Sequence, residues 1–412
     1  MTDWRRVRLD QLVNEVRNTV DVSGLGSDTV FHYSIPVLDD SGDGRVEQVE
    51  DIGSGKLLLQ GGEILISKLN PRISRVVVAK RHDEPTTAST EFIALTPGPD
   101  IEQRYLCYWL ESETTRQFLN GAASSVTKSQ QRVRPETLTK IWFDVPPMRQ
   151  QLIISDYLDT ETTHIDALVS KRQRQLELLK EQFLAQVQAR VTGGMTFADP
   201  LDVRDADIAV EGWTKLKLGA NLKFGSGTTP PSGDQRYYGN GIPWVVTGNL
   251  RDTSIPQVSR SITLEALEKF SALEIHPAGS LVVAMYGATI GRLGVTTYPA
   301  VVNQACCVIQ ARANVNAWFL FYYLLAHRSA LIERSVGAGQ PNISQEILRS
   351  IRIPVPQMQT QKKIVMELDA LRARMDLIES RIKKQLKVLN ERRQALITAA
   401  VTGELDIPGA TA

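Results

Sequence analysis

The chain has 412 residues, with 47 Lys and Arg against 46 Asp and Glu, a formal net charge of +1, 42% hydrophobic residues and 23% charged ones. That balance excludes a disordered or collagen-like chain and a uniformly basic nucleic-acid coat, but it allows a local basic face. The length predicts two to three domains of about 150 residues each.

In chain order, residues 1–144 form a first domain. It opens with Trp4–Leu9 and carries short apolar runs, Ile64–Ser67 and Val76–Ala79, suited to strands. Arg104–Asn120 reads as helical. Residues 145–193 read as one long helix. It starts after Val145-Pro146, because proline cannot continue a preceding element. It ends at Val191-Thr192-Gly193, where glycine can take the left-handed cap. Leu158, Ile165, Leu168, Leu179 and Phe183 share one face, with Leu176 and Val187 beside it. Residues 194–211 read as a short acidic linker containing Asp199, Asp202, Asp205 and Asp207.

A second domain follows over 212–354. Leu281–Met285 and Val301–Ile309 suit strands, Asn316–Val336 suits a helix, and Gly225-Ser226-Gly227 and Pro230-Pro231 mark turns. Residues 355–403 form a second long helix. Leu368, Leu371, Met375, Ile378, Ile382, Gln385, Leu389 and Leu396 keep an apolar heptad stripe. A tail occupies 404–412. Helices of about 45 residues would be about 65–70 Å long. The expected fold class is α+β: two mixed α/β domains joined by two long helices in an antiparallel coiled coil. The alternative is that each stripe packs only on its own domain.

This order is a repeat with a period near 210 residues. Val145-Pro146-Pro147-Met148-Arg149-Gln150-Gln151 matches Val355-Pro356-Gln357-Met358-Gln359-Thr360-Gln361, and Leu158-Asp159 falls on Leu368-Asp369. Upstream, Trp4 parallels Trp213, and Gly62–Ile66 parallels Gly279–Val283, which places Ile73 on Ile290 and Arg75 on Arg292. Tyr105–Leu110 parallels Phe319–Leu324. The two copies give the chain a pseudo-twofold plan.

Several chemistries lack their residues. No phosphate-binding Gly-x-x-x-x-Gly-Lys-Ser/Thr loop is present, and Gly53-Ser54-Gly55-Lys56 reads as an ordinary loop. The five histidines are scattered, and Cys107, Cys306 and Cys307 form neither a disulfide framework nor a zinc site. Phe224-Gly225-Ser226-Gly227 lacks the context of a dinucleotide loop. Neither an amino-methyltransferase tetrapeptide nor a paired-carboxylate nuclease pattern occurs. A chain without catalytic residues, metal or cofactor of its own is expected. No apolar run of about 18 residues and no signal-peptide core at Met1–Asp10 occur, so a reduced cytoplasmic protein off the membrane is expected.

Between Lys68 and Arg81 stand five cations and no acid, and Lys128, Arg132 and Arg134 form a second basic group. In the second copy no acid occurs from Ile275 to Ile332, whereas Arg292 does. Amides flank these positions. Cations neutralise phosphates, and Arg, Asn and Gln read base edges bidentately. The predicted DNA-contacting residues are Lys68, Asn70, Arg72, Arg75, Lys128, Arg132 and Arg134 in the first copy. In the second they are Tyr286, Thr289, Arg292, Asn303, Gln304, Gln340 and Asn342. A basic run is also what an ordinary solvated face looks like; repetition of the patch favours DNA. The competing reading is a coiled-coil scaffold that brings proteins together without reading DNA.

The duplicated Val-Pro-x-Met-x-x-Gln segments, the two long helices, Gly339-Gln340-Pro341-Asn342-Ile343-Ser344, and Ile242-Pro243-Trp244-Val245 with Gly248-Asn249 resemble the specificity subunit of Type I restriction–modification systems over nearly the full length. The resemblance implies two target-recognition domains, each reading half of a split double-stranded DNA site, with the helices as a ruler between them. It implies partner modification subunits, two of them expected, that bring S-adenosylmethionine and adenine methylation. Motor-nuclease subunits using ATP and Mg are implied as well. Arg132-Val133-Arg134 stands where the second copy has Asn342-Ile343-Ser344, so the two domains are expected to read different bases.

Overall fold

The computed structural model describes residues 4–53, 55–125, 131–312, 314–337, 339 and 341–410. It divides into two compact units, residues 1–173 with 383–412 and residues 174–382. Each unit holds one globular domain and a part of both long helices, Met148–Val191 and Met358–Val401.

In the first unit β1 (Arg5–Arg8) pairs antiparallel with a strand just before the first long helix, Trp142–Val145. The main sheet contains β2 (Val13–Val16), β3 (Ile64–Ser67), β4 (Val76–Val78) and β5 (Phe92–Pro97) in the order β2-β5-β3-β4. A second sheet orders Thr19–Val20, Lys56–Leu59, Thr86–Ser89, Thr29–Tyr33 and Arg45–Gln48. Ile64, Leu65 and Leu95 are fully buried, because strands covered on both sides bury both sets of alternating side chains. The stretch expected as one helix over 104–120 is two, α1 (Gln103–Glu111) and α2 (Glu113–Ala122). Ser112 between them is extended, and its hydroxyl accepts from Thr115 N at 3.3 Å, capping the second helix.

The second unit repeats the plan. β6 (Trp213–Lys217) pairs with Arg352–Pro356, just before the second long helix. The main sheet orders β7 (Lys223–Gly225), Cys306–Gln310, β8 (Leu281–Ala284), β9 (Leu293–Thr296) and a parallel strand, Thr253–Ile255. The apolar run 301–309 splits, with Val301–Val302 joining a different sheet, parallel to Trp244–Val245. The helical stretch expected over 316–336 breaks at His327 into α3 (Ala317–Ala326) and α4 (Arg328–Glu333). The acidic segment expected as a linker is part of this unit's edge. Leu201 and Val203 are fully buried, and Val203 N donates to Arg352 O at 3.1 Å. Asp199 meets Arg334, Asp202 meets Arg352 at 2.7 Å and Asp205 meets Lys215. Burying the two apolar residues carries the acids between them onto cations.

The repeated motif has a structural reason. Gln151 is buried in the first unit: its side chain accepts from Glu102 N at 2.7 Å and donates to Asp100 O and Pro146 O. Gln361 does the same in the second, accepting from Asn316 N at 2.8 Å and donating to Asn314 O and Pro356 O. Glu102 and Asn316 are the caps of α1 and α3, so each glutamine ties a long helix to the start of its domain's helix. Tyr108 donates to Asp159 and Tyr322 to Asp369, at 2.7 and 2.6 Å. At the other helix ends, Gly403 lies against Trp4 and Gly193 against Trp213, both glycines with positive φ; a side chain there would press on the indole.

Within each unit the parts of the two long helices run antiparallel. In the second, Arg372 lies over the Phe183 ring and Arg190 pairs with Glu367, so one number rises as the other falls. In the first, Asp166 meets Arg393, and Leu158 shares a core with Ile397 and Val401. The covered positions are Leu158, Thr162, Ile165, Val169, Arg172, Leu176, Leu179, Phe183 and Val187 in the first long helix. The same register, 210 residues on, is covered in the second, including Leu368, Met375, Ile382 and Leu389, with Leu371 half-buried beside it. Leu168 and Ile378, expected on the stripe, are exposed at 48% and 41%. Each lies one residue off the stripe, about 100° around the helix, and Val169 and Glu379 hold the covered positions.

Candidate nucleic-acid interface

The sequence patches at 68–75 and 131–134 come together in the first unit. The connection between β3 and β4 turns at Asn70, whose φ of +51° lies in the left-handed region that asparagine tolerates. Asn70 N donates to Gln131 O at 2.8 Å and Val133 N to Lys68 O at 3.0 Å, and Leu69 bridges Arg132. Val133 is buried beneath, so its neighbours Arg132 and Arg134 face outward and are exposed.

The cations on this edge are not equivalent. Arg75 is almost covered, with its side chain 10% exposed, and it holds Asp39 through two bonds of 2.6 and 2.8 Å. That guanidinium keeps the Asp39 carboxyl below its usual pKa. Arg132 makes two 3.0 Å bonds to Glu91, and Lys68 donates to Thr90 O at 2.6 Å. Lys80 pairs with Asp43. Arg72 and Arg134 are exposed and meet no carboxylate within 4 Å among the described residues. The acid-free run in the sequence is thus partly neutralised in space by Asp39 and Asp43, and the second basic group by Glu91. Lys128 lies outside the described residues.

The second unit forms the same edge from different side chains. Ile343 N donates to Met285 O at 2.7 Å, and Tyr286 bridges Asn342. Under the repeat these are the Val133–Lys68 and Leu69–Arg132 contacts. Met285 N donates to Ala305 O, which brings the turn containing Asn303 and Gln304 to the same edge. Arg292 and Asn342 are exposed; Tyr286 and Thr289 are half-buried. Arg292 meets no carboxylate within 4 Å among the described residues, whereas Arg328 is paired with Asp252. Gln304 is exposed and accepts from the Thr229 hydroxyl. Asn303 Oδ1 is buried and meets no donor among the described residues. Gln340 lies outside the described residues. Sequence reasoning missed Asp39, Glu91 and Thr229, which carry no local signal because each meets its partner only through the folded sheet.

Among the described residues no group of three His, Cys, Asp or Glu could hold a metal, and no helix is long and apolar enough to cross a membrane. The duplicated edge agrees with the comparisons. The Type I restriction modification DNA specificity domain matches residues 2–178 and again 210–388. A Methanocaldococcus jannaschii protein that carries the name of the MjaX type I restriction enzyme specificity subunit is 23% identical over 98% of this chain and 94% of its own. The EcoBI specificity subunit of Escherichia coli is 24% identical over 70% of this chain and 63% of its own. A solved chain from a study of assembly and conformational transition in the type I R-M system superposes with a TM-score of 0.70 at 17% identity, covering 98% of both chains. With two matched domains spanning most of its length, each on one unit of the same plan, the chain belongs to the Type I restriction–modification DNA specificity family.

Proposed function

We propose that this chain reads a bipartite, asymmetric DNA site, one half with each unit, and performs no catalysis itself. The observation that carries this reading is the duplicated edge. One backbone arrangement, a sheet connection bridged to the segment before the long helix, is dressed with Lys68, Asn70, Arg72 and Arg132 in one unit. In the other it carries Tyr286, Thr289, Arg292 and Asn342. Equal frameworks with unequal donors suit two different half-sites. Arg72, Arg134 and Arg292 are the cations open to DNA; Lys68, Arg75 and Arg132 shape the edge through their own partners. Two modification subunits and motor-nuclease subunits dock on this chain and hold the S-adenosylmethionine, ATP and Mg.

The test is binding of the chain, with its modification subunits, to duplex carrying the site found by sequencing methylated bases in the host. Arg72→Ala and Arg292→Ala should each weaken cognate binding by about 1–3 kcal/mol. Unchanged affinity and salt dependence in both variants would show that these edges do not touch DNA, leaving the scaffold reading.

A further inference from the structure

The second unit carries a polar cavity beside its proposed reading edge. The strand Tyr238–Val245 pairs with Ser261–Ile262, but Tyr238 and Ile242 both face Ile262, so residues 239–241 bulge out. The bulge depends on Gly241, where a Cβ would lie 2.0 Å from Ile262 O. Between the bulge, residues 259–261 and the loop 229–235 lies a cavity of about 580 Å³. Its walls include Thr229, Ser232, Asn240, Trp244, Arg260 and Ser261, and among the described residues no carboxylate lines it. Arg260 is exposed and meets no carboxylate within 4 Å among the described residues. Trp244 is 4% exposed, and its indole N–H has no acceptor among the described residues. Tyr238 donates to Pro230 O at 2.5 Å, which fixes the rim. Thr229, on the wall, donates to Gln304 on the reading edge, so cavity and edge are continuous.

We propose that this cavity seats one backbone phosphate of the DNA half-site bound by the second unit, with Arg260 supplying the charge. A wall of hydroxyl and amide groups with one unpaired guanidinium and no acid suits an anion rich in acceptors. Its polar, half-open form suits a sugar–phosphate segment better than an apolar ligand. The Trp244 N–H stands ready as a further donor once the wall adjusts around the phosphate. The assignment rests on the proposed DNA reading and gives that unit a contact outside the base-reading edge.

The experiment measures binding of the full chain with its modification subunits to cognate duplex at several salt concentrations. One lost phosphate contact lowers the salt slope by about 0.9, so the advantage of wild type over Arg260→Ala should shrink about 3.5-fold between 50 and 200 mM salt. Trp244→Phe, which keeps an aromatic six-membered ring but removes the indole N–H donor, should weaken binding with the slope retained. A duplex series with single neutral methylphosphonates should show one position that weakens wild type but not Arg260→Ala. If Arg292→Ala weakens binding while Arg260→Ala keeps the wild-type slope and the full methylphosphonate pattern, the cavity assignment is overturned alone. If Arg292→Ala, Arg72→Ala and Arg260→Ala all bind as wild type, the DNA reading falls with it.

Discussion

Replacing Arg393 with Ala should loosen the end of the second long helix by about 2–3 kcal/mol. Arg393 donates to Glu111 at 3.2 Å and to Asp166 at 3.0 Å, with side chains 29%, 24% and 54% exposed in that order. The Asp166 leg is open to water and contributes about 0–1 kcal/mol. Most of the loss comes from Glu111, left with little solvent and no cation. Burial already holds the Glu111 pKa above its ordinary value, against the pull of Arg393. A carboxyl raised on folding binds more protons folded than unfolded, so its penalty is full at neutral pH and relieved as pH falls through the raised value. The deficit should therefore shrink as pH falls from neutral into the acid range, and Glu111→Gln should recover much of it. The assay is hydrogen exchange of peptides covering 390–401, which reports local opening; a loss of 2 kcal/mol speeds exchange about 30-fold. Exchange within twofold of wild type, or a deficit indifferent to both pH and Glu111→Gln, would refute the reasoning. The repeat places Phe183 where Arg393 stands, and there Arg372 covers an aromatic ring instead of closing an ion pair, so Phe183→Ala should show no such pH dependence.

Four further outcomes are expected. Gln151→Leu and Gln361→Leu should each destabilise their own unit by about 2–4 kcal/mol, because three backbone partners lose their bonds; unit-resolved exchange checks this. Arg75→Ala should lower stability, as should Asp39→Ala, whereas Arg72→Ala should leave it within about 0.5 kcal/mol of wild type; denaturant melts decide. His32 and His327, each held neutral by burial with pKa about 4, should remove up to about 3 kcal/mol apiece as pH falls from 6.5 toward 4, since only the unfolded imidazole protonates in that window. His327→Leu should flatten that acid limb. Inserting one heptad after both Leu176 and Leu386 adds about 10.5 Å to each helix, and the preferred spacer between half-sites should lengthen by about three base pairs; an unchanged spacer speaks against the ruler.

Much of the fold was legible because repetition and periodicity are local signals. The Val-Pro-x-Met-x-x-Gln motif marks the start of each long helix, and the structure shows why it needs its glutamine. Strands at 64–67 and 281–284 follow from their apolar runs. The breaks at Ser112 and His327 were hidden, because a helix interrupted for one residue keeps its apolar spacing on both sides. The acidic segment 199–205 looked solvated because its cations, Arg334, Arg352 and Lys215, are not its sequence neighbours.

The sequence by itself determined that there are two copies of one plan, where the long helices run, and that basic and amide residues recur at equivalent places. Which of those cations are open for a ligand was decided only by tertiary structure. Arg75 meets Asp39 across 36 residues and Arg132 meets Glu91 across 41, while Arg72, just before Arg75 in sequence, meets neither. Periodicity depends on near neighbours along the chain, but ion pairing depends on how the sheets close, so charge counted along the sequence does not give charge presented at the surface.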